Sequence, residues 1–385
     1  MKINKSKSLF LFLLLGLLFR LSIAYFQYSG DVRNHIAWGE GMLSGMFGFF
    51  DQKFAGFNDP NYPPLTIILF GLSSWLYQIF GKLVSFLNQT IPIFPSKLVF
   101  LMPTLNMKAL FLKLPSIFAD IGIAWTIYHL TSSKKETIKK LVVGLFLFNP
   151  AVIYLSTVWG QIESIPILFL LLSLLALKKN KSSSKISSQN FYLSHLFFIL
   201  AALSKQTALW LLPVFIVLWL KNKPLKIFLQ GLFLQVIVFV LLYLPFTHSL
   251  IKPFVLYLQT LAGSSTLASE AVWNIWHFIY PPSTQDSTLL LGLSIRLWSI
   301  LLILLSIAFI IIKFSKNKLT LYQSLFWLSL AAFFLQTRVH EKHLFPALVF
   351  FILDYKPSLS KTVGFLFLTL YHLSNLYWTL GLPFV

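Results

Sequence analysis

The run Leu9-Phe10-Leu11-Phe12-Leu13-Leu14-Leu15-Gly16-Leu17-Leu18-Phe19, closed by Gly30-Asp31-Val32-Arg33-Asn34-His35, decides the fold. It follows Lys2, Lys5 and Lys7, spans the hydrocarbon core as a helix over 8–28, and delivers a carboxylate, Asp31, to the far face. The same grammar of basic connection, apolar stretch and polar turn recurs to the end of the 385-residue chain. The chain is 57% hydrophobic and 11% charged, whereas a water-soluble domain carries about 25% charged residues. This is the composition of an all-α, polytopic transmembrane helix bundle forming one domain over 1–385.

The apolar stretches fall at 8–28, 109–131, 141–157, 164–177, 191–203, 206–220, 228–246, 289–312, 319–335, 344–354 and 362–380, for about 11–13 crossings. The net charge of +20 points away from nucleic acid once its distribution is read. Lys134, Lys135, Lys139 and Lys140, then Lys178, Lys179, Lys181 and Lys185, then Lys221, Lys223 and Lys226, then Lys313, Lys316 and Lys318, then Lys356 and Lys361 occupy alternate connections. That is the positive-inside pattern, with the N-terminus cytoplasmic, in the plasma membrane for a prokaryotic protein. The opposite connections hold Asp31, Glu40, Asp51, Asp59, Glu163, Glu270, Asp286 and Glu341, so carboxylate chemistry is expected to be extracytoplasmic. Parity requires 62–80 to be an outer-leaflet or re-entrant helix; the alternative is a further crossing at 83–105. Ser22-Ile23-Ala24 before Tyr25 gives the first residues the layout of a secretory signal, but Arg20 inside the run and the need to anchor Asp31 argue for a retained helix. The chain has no cysteine, hence no disulfide or thiolate metal site.

Asp31 has two readings, a general base held at the interface or a helix N-cap. Lys205, in Ser204-Lys205-Gln206-Thr207, and the cluster Arg338-Val339-His340-Glu341-Lys342-His343 place cations at the same face, suited to a phosphate leaving group or to lipid headgroups. Glu341 is expected to pair with Arg338 or Lys342. Glu163, in Trp159-Gly160-Gln161-Ile162-Glu163, either contacts a sugar hydroxyl or is a solvated carboxylate beside an interfacial Trp. Asp120 lies inside a span, where an unpaired charge is costly, and a hydrogen bond within the bundle is the expected outcome. Asn61-Tyr62-Pro63-Pro64 imposes an extended segment and then opens a helix at the second proline.

With these residues in place, the chain resembles the GT-C class of membrane glycosyltransferases, most closely the dolichyl-phosphate-glucose glucosyltransferases of lipid-linked oligosaccharide assembly. The resemblance rests on Asp31 with Trp38-Gly39-Glu40, on Tyr62-Pro63-Pro64-Leu65, and on Ala119-Asp120 within a span. It continues through Phe148-Asn149-Pro150, Lys205-Gln206, Ala271-Val272-Trp273-Asn274-Ile275-Trp276 and His340-Glu341-Lys342. It implies a helical outer loop over 29–64 and inverting transfer of a hexose, glucose or mannose, from a polyprenyl-phosphate donor to a lipid-linked or cell-envelope glycan acceptor. Asp31 is the implied base, and His340, with Lys205, Arg338 and Lys342, contacts the donor phosphate. Glu40, Tyr62, Glu163, Gln206, Trp273 and Asn274 are the implied substrate contacts, with no metal or cofactor. Arg33 stands where the family often has an acidic residue. The competing function is a flippase or transporter of lipid-linked sugars, which would predict internal repeats and broken helices with charges at the midplane.

Overall fold

The structure, a computed structural model, describes residues 5–132, 135–178, 186–262, 265–270 and 272–381. Of the residues singled out above, Lys2, Lys134, Lys179, Lys181, Lys185 and Ala271 lie outside these. The helices are α1 (Lys5–Ala24), α2 (Gly30–Ser44), α3 (Pro64–Thr90), α4 (Lys97–Leu101), α5 (Leu105–Leu130), α6 (Glu136–Leu147), α7 (Pro150–Ile153), α8 (Ser164–Ala176) and α9 (Ser188–Ser204). They continue as α10 (Leu212–Asn222), α11 (Leu225–Tyr243), α12 (Lys252–Ala262), α13 (Ile275–Ile279), α14 (Ile295–Ser315), α15 (Leu321–Leu335), α16 (Phe345–Leu353) and α17 (Leu359–Leu380). Side-chain oxygens of Ser29, Thr104, Asn149, Ser187, Ser294, Thr320 and Ser358 accept first-turn amides, which is why helices start there. Pro64 and Pro150 open α3 and α7, where the missing donor costs nothing.

Five helices are long and apolar enough to cross a membrane, six spans if the bent pair α6 and Pro150–Trp159 counts as one, and the chain is a multi-pass helical membrane protein. Contacts define two ends of the bundle. The Nζ of Lys113 donates to Ala24 O at 3.0 Å and Nδ2 of Asn106 to Tyr25 O at 2.8 Å, so α5 starts where α1 stops and runs back. Its far end meets the Tyr322 hydroxyl and the Lys178 ammonium. The bent pair returns to Trp159, whose carbonyl accepts the Ser29 hydroxyl at 2.8 Å. The helices α8 and α9 lie antiparallel, tied at Ser173 and Ser194, and α9 returns to Ser204. Further along, α10 and α14 finish together where Lys221 donates to Phe314 O and Ser315 O. The lysine-bearing connections thus share one end, and Asp31, Trp159, Glu163, Lys205 and the 338–343 cluster share the other.

The segment after α2 tests the expected parity. Although α3 passes the length and composition test for a span, its start is tied to Ser204 O by the Thr66 hydroxyl at 2.6 Å, and Tyr77 bonds Met102 O at 2.7 Å just before α5. The start and the middle of α3 therefore lie at the Asp31 end, beside the start of α5, so the first half of α3 does not traverse the bundle. The stretch 83–105 is not a crossing either: it holds the end of α3, a turn and the short α4. Beside α3, α2 packs through Gly39 onto the Phe70 carbonyl, and Val32, Ile36, Trp38, Phe49, Tyr62, Ile67 and Phe70 share a second core with Ala109, Leu112 and Ala119 of α5 and Ile165 of α8.

The expected 11–13 crossings exceed the five, or six, that helix length and composition support among the described residues, because most of the remaining apolar stretches form shorter helices. Two stretches also begin differently from expectation. The stretch 289–312 is interrupted at its head: Leu289–Leu290 pairs with Leu293–Ser294 around Leu291 and Gly292, both at positive φ, so the helix begins only at Ile295. The stretch 206–220 opens as a 3-10 turn over Gln206–Leu211 before α10. Phe148-Asn149-Pro150 is a break of 44° within a crossing rather than its exit. Asn149 supports it by accepting from Ala151 and Val152 and donating to Thr369 at 2.8 Å.

Candidate functional site

Asp120 is settled by its partners. Oδ2 accepts from Nε of Arg20 at 2.8 Å and from the Ser156 hydroxyl at 2.6 Å, Oδ1 accepts from the Ser164 hydroxyl, and Arg20 also reaches Leu147 O at 2.9 Å. Both charges are fully buried, so this pair joins α1, α5 and α8 as a structural cross-link. It sits under the π-helical turn Tyr154–Trp159, which the chain leaves through Gly160. Gly160 has φ +82°, and a Cβ there would lie 2.5 Å from Val32 Cγ2. That close approach lets Gln161 face α2.

Asp31 is in the first turn of α2 but is not its cap, because Ser29 fills that role. Its Oδ2 accepts from Nε2 of Gln161 at 2.6 Å and lies 3.5 Å from Nζ of Lys342, with the side chain 40% exposed. Lys342 in turn donates to Oε1 of Gln161 at 3.1 Å and stands over the Trp159 ring. Gln161 thus bridges acid and ammonium and presents one polar group to each. Burial pushes the Asp31 carboxyl up, but Lys342, His35 and the Gln161 bond more than offset it, leaving the pKa below its ordinary 3.8. For Lys342, burial works against the charge, while Tyr62 and the carboxylates of Asp31, Glu163 and Glu341 raise its pKa.

The remaining cations are also paired. Lys205 bonds Oε1 of Glu163, both nearly buried, and stands 5.5 Å over the Tyr62 ring. Burial pulls the Lys205 pKa down and Glu163 opposes it. Arg338 takes the left-handed backbone conformation, φ +61°, and grips Asp286 with Nε at 2.6 Å and Nη2 at 3.3 Å. The expectation that Glu341 pairs with Arg338 or Lys342 is therefore corrected. Asp286 and Asp31 hold those cations, while Glu341 is buried with its pKa raised first by burial. The amide of His340 donates to Nδ1 of His343 at 3.1 Å. Burial, with Lys342 and Lys205 nearby, lowers the His340 pKa to about 3, so its ring is a neutral hydrogen-bonding group near pH 7.

These groups converge on one cavity of about 670 Å³, lined by Tyr62, Lys205, Gln206, Arg338, His340 and Lys342 among others. Asp31 meets it through Lys342, and Glu163 through Lys205. Below this polar region the wall continues down α14 as Ser299, Ile300, Ile303 and Leu304, toward the bilayer.

Four implied substrate contacts do not line it: Glu163, which meets it only through Lys205, and Glu40, Trp273 and Asn274, which lie away from it. Glu40 faces the other way along α2 and pairs with Lys108 at 2.7 Å. Trp273 and Asn274 pack between the ends of α15 and α17. The Trp273 amide donates to Asn375 at 2.8 Å, and Nδ2 of Asn274 donates to Gln336 O at 3.1 Å, so Asn274 supports the cavity wall from behind. For Asn274 the physical reason is that an Asn at an N-cap is spent on the backbone, here on His277 N, while the Trp273 ring packs against Tyr371 and Trp378.

Three residues were not anticipated. Gln161 carried no charge to draw notice. His35 is buried against Phe70, 4.6 Å between rings, with its pKa lowered by burial to about 3. Arg296 was assigned to the interior of a span; with α14 starting at Ile295 it lies on the cavity wall, and among the described residues it forms no ion pair. Its signal was Leu291-Gly292 just upstream, a turn before the helix.

No protein-family model matches the chain, and no curated protein matches it.

Proposed function

We propose that the protein is an inverting hexosyltransferase that moves a sugar from a polyprenyl-phosphate donor to an acceptor hydroxyl, on the face of the membrane bearing Asp31. One observation carries this reading: a single cavity joins a cationic head, Lys205, Arg296, Arg338 and Lys342 with neutral His340, to an apolar wall of Ile300, Ile303 and Leu304. An anionic phosphate attached to an isoprenoid chain has that same division.

With the phosphate near Arg296, Lys205 and His340, the sugar lies toward Lys342 and Asp31. The acceptor oxygen attacks the anomeric carbon as the bond to the phosphate oxygen breaks, and the electron pair leaves on the polyprenyl phosphate. The acceptor proton passes to Asp31 and then to solvent. A low-pKa carboxylate serves because the hydroxyl becomes acidic only as its bond to carbon forms. Arg296 is the cation free to turn onto the phosphate without surrendering a carboxylate. The transport reading finds little support in the distribution of charge: the buried deep pair, Arg20 and Asp120, is engaged with itself, with Ser156 and Ser164, and with the Gly16 and Leu147 carbonyls.

The test is transfer of radiolabelled hexose from short-chain polyprenyl phosphate in liposomes. Wild type is expected to transfer, Asp31→Asn to lose roughly 10²–10⁴-fold, and Arg296→Gln to lose less, mainly as a higher donor KM. Sugar-lipid crossing the bilayer with no bond exchanged, equal in wild type and Asp31→Asn, would overturn the reading in favour of transport.

A further inference from the structure

A second cavity, about 890 Å³, opens between α14 and α15 and is unrelated to the first. Its walls are apolar, with Leu305, Phe309 and Trp327 each at least half exposed, and it ends at Lys313 and Lys318. Asn317, at φ +55°, turns the chain so that the Lys318 amide bonds Lys313 O at 2.8 Å, which sets the two lysines side by side. Neither is needed to neutralise the end of α14, because Lys221 already donates to Phe314 O and Ser315 O. Nor does a carboxylate hold them among the described residues: at this end Asp354 is bonded to Lys361 and Gln323, and Glu136 to Tyr128.

We infer that this groove binds one anionic glycerophospholipid, its phosphate between Lys313 and Lys318 and an acyl chain along Phe309, Leu305 and Trp327. Charge selects the occupant, since two ammonium groups that no carboxylate holds among the described residues, Lys313 standing 5.2 Å over the Phe309 ring, favour a negative headgroup over a zwitterionic one beside an apolar slot. Along α14 the groove runs about 16 Å from Lys313 back to Leu302, and along α15 it reaches Leu335, so an acyl chain fits above a phosphate held at the lysines. Its lysines lie at the opposite end of the bundle from Asp31, so the bound lipid steadies the α14 and α15 pair that carries Arg296 and Arg338 at its other end.

The test uses Trp327 as reporter, its emission taken as the difference between wild type and Trp327→Phe. The full chain is reconstituted in phosphatidylcholine vesicles containing increasing brominated phosphatidylglycerol or brominated phosphatidylcholine. Half-maximal quenching is expected at a roughly tenfold lower mole fraction of the anionic lipid. That preference should vanish in Lys313→Gln/Lys318→Gln and persist in Lys316→Gln, which removes a neighbouring charge outside the groove. Equal half-points for the two lipids in the wild type would overturn the inference. So would an equal loss of preference in Lys316→Gln, which would mean general surface attraction.

Discussion

Gln161 shows what a neutral residue does among charges. Asp31 and Lys342 stand 3.5 Å apart, longer than a strong ion pair, because each is also committed to one end of the same amide. The carboxylate is thereby ionised and oriented without being locked to the ammonium, so its second oxygen stays available to a proton. The histidines add a pH dependence at the same scale. In the unfolded chain His35 and His340 take up protons near 6.5, but in the fold only near 3. The stability owed to their neutral rings is therefore complete above pH 6.5 and declines as pH falls from 6.5 toward 3. Asp31 has the same sign in a lower window, its contribution being lost only below 3.8. At pH 5 each ring should cost about 2 kcal/mol relative to pH 7.5. Unfolding measured in detergent at the two pH values should show this loss, and His340→Gln should reduce it by about 2 kcal/mol.

Among elements, α2 is the one whose placement carries chemistry, since it holds Asp31, His35 and, through Val32, the contact with Gly160. Its seat on α3 depends on Gly39, where an added Cβ would lie 2.6 Å from both the Phe70 carbonyl oxygen and the Ser74 hydroxyl. Backbone cannot yield there as a flexible side chain can. Gly39→Ala is expected to lift α2 off α3, destabilising by ~1–3 kcal/mol and misplacing Asp31, with transfer reduced about 10²-fold. The check is whether transfer falls while the circular-dichroism spectrum and size-exclusion profile stay those of wild type. A variant with undiminished transfer would show that α2 reaches its position without that contact.

For the whole molecule, the two-ended arrangement makes a claim about membrane sides that the absence of native cysteine makes easy to examine. Cysteines introduced at Arg33 and Ser96 should react with a membrane-impermeant maleimide from one side, and a cysteine at Ser315 from the other. Ser96 reacting together with Ser315 would mean that α3 crosses after all. The short helices α8, α10 and α16 each follow a polar segment at the Asp31 end, Glu163, Lys205 with Gln206, and residues 338–343, the last two of which line the cavity.

Much of this was legible in order along the chain. Apolar length and lysine alternation determined the helical class, the two faces and the side on which Asp31, Lys205 and the 338–343 cluster meet, because crossing a hydrocarbon layer constrains each segment independently of its neighbours. The second proline of Tyr62-Pro63-Pro64 likewise marked the start of α3 locally. Pairing was beyond that reading. Asp31 meets Gln161 across 130 positions and Gln161 meets Lys342 across 181, Arg338 chooses Asp286 rather than nearby Glu341, and Glu40 turns outward to Lys108. Which of several like charges meets which depends on helix rotation and on gaps such as those at Gly39 and Gly160. Only tertiary packing decides these, because Coulomb attraction is indifferent to sequence separation and acts on distance alone.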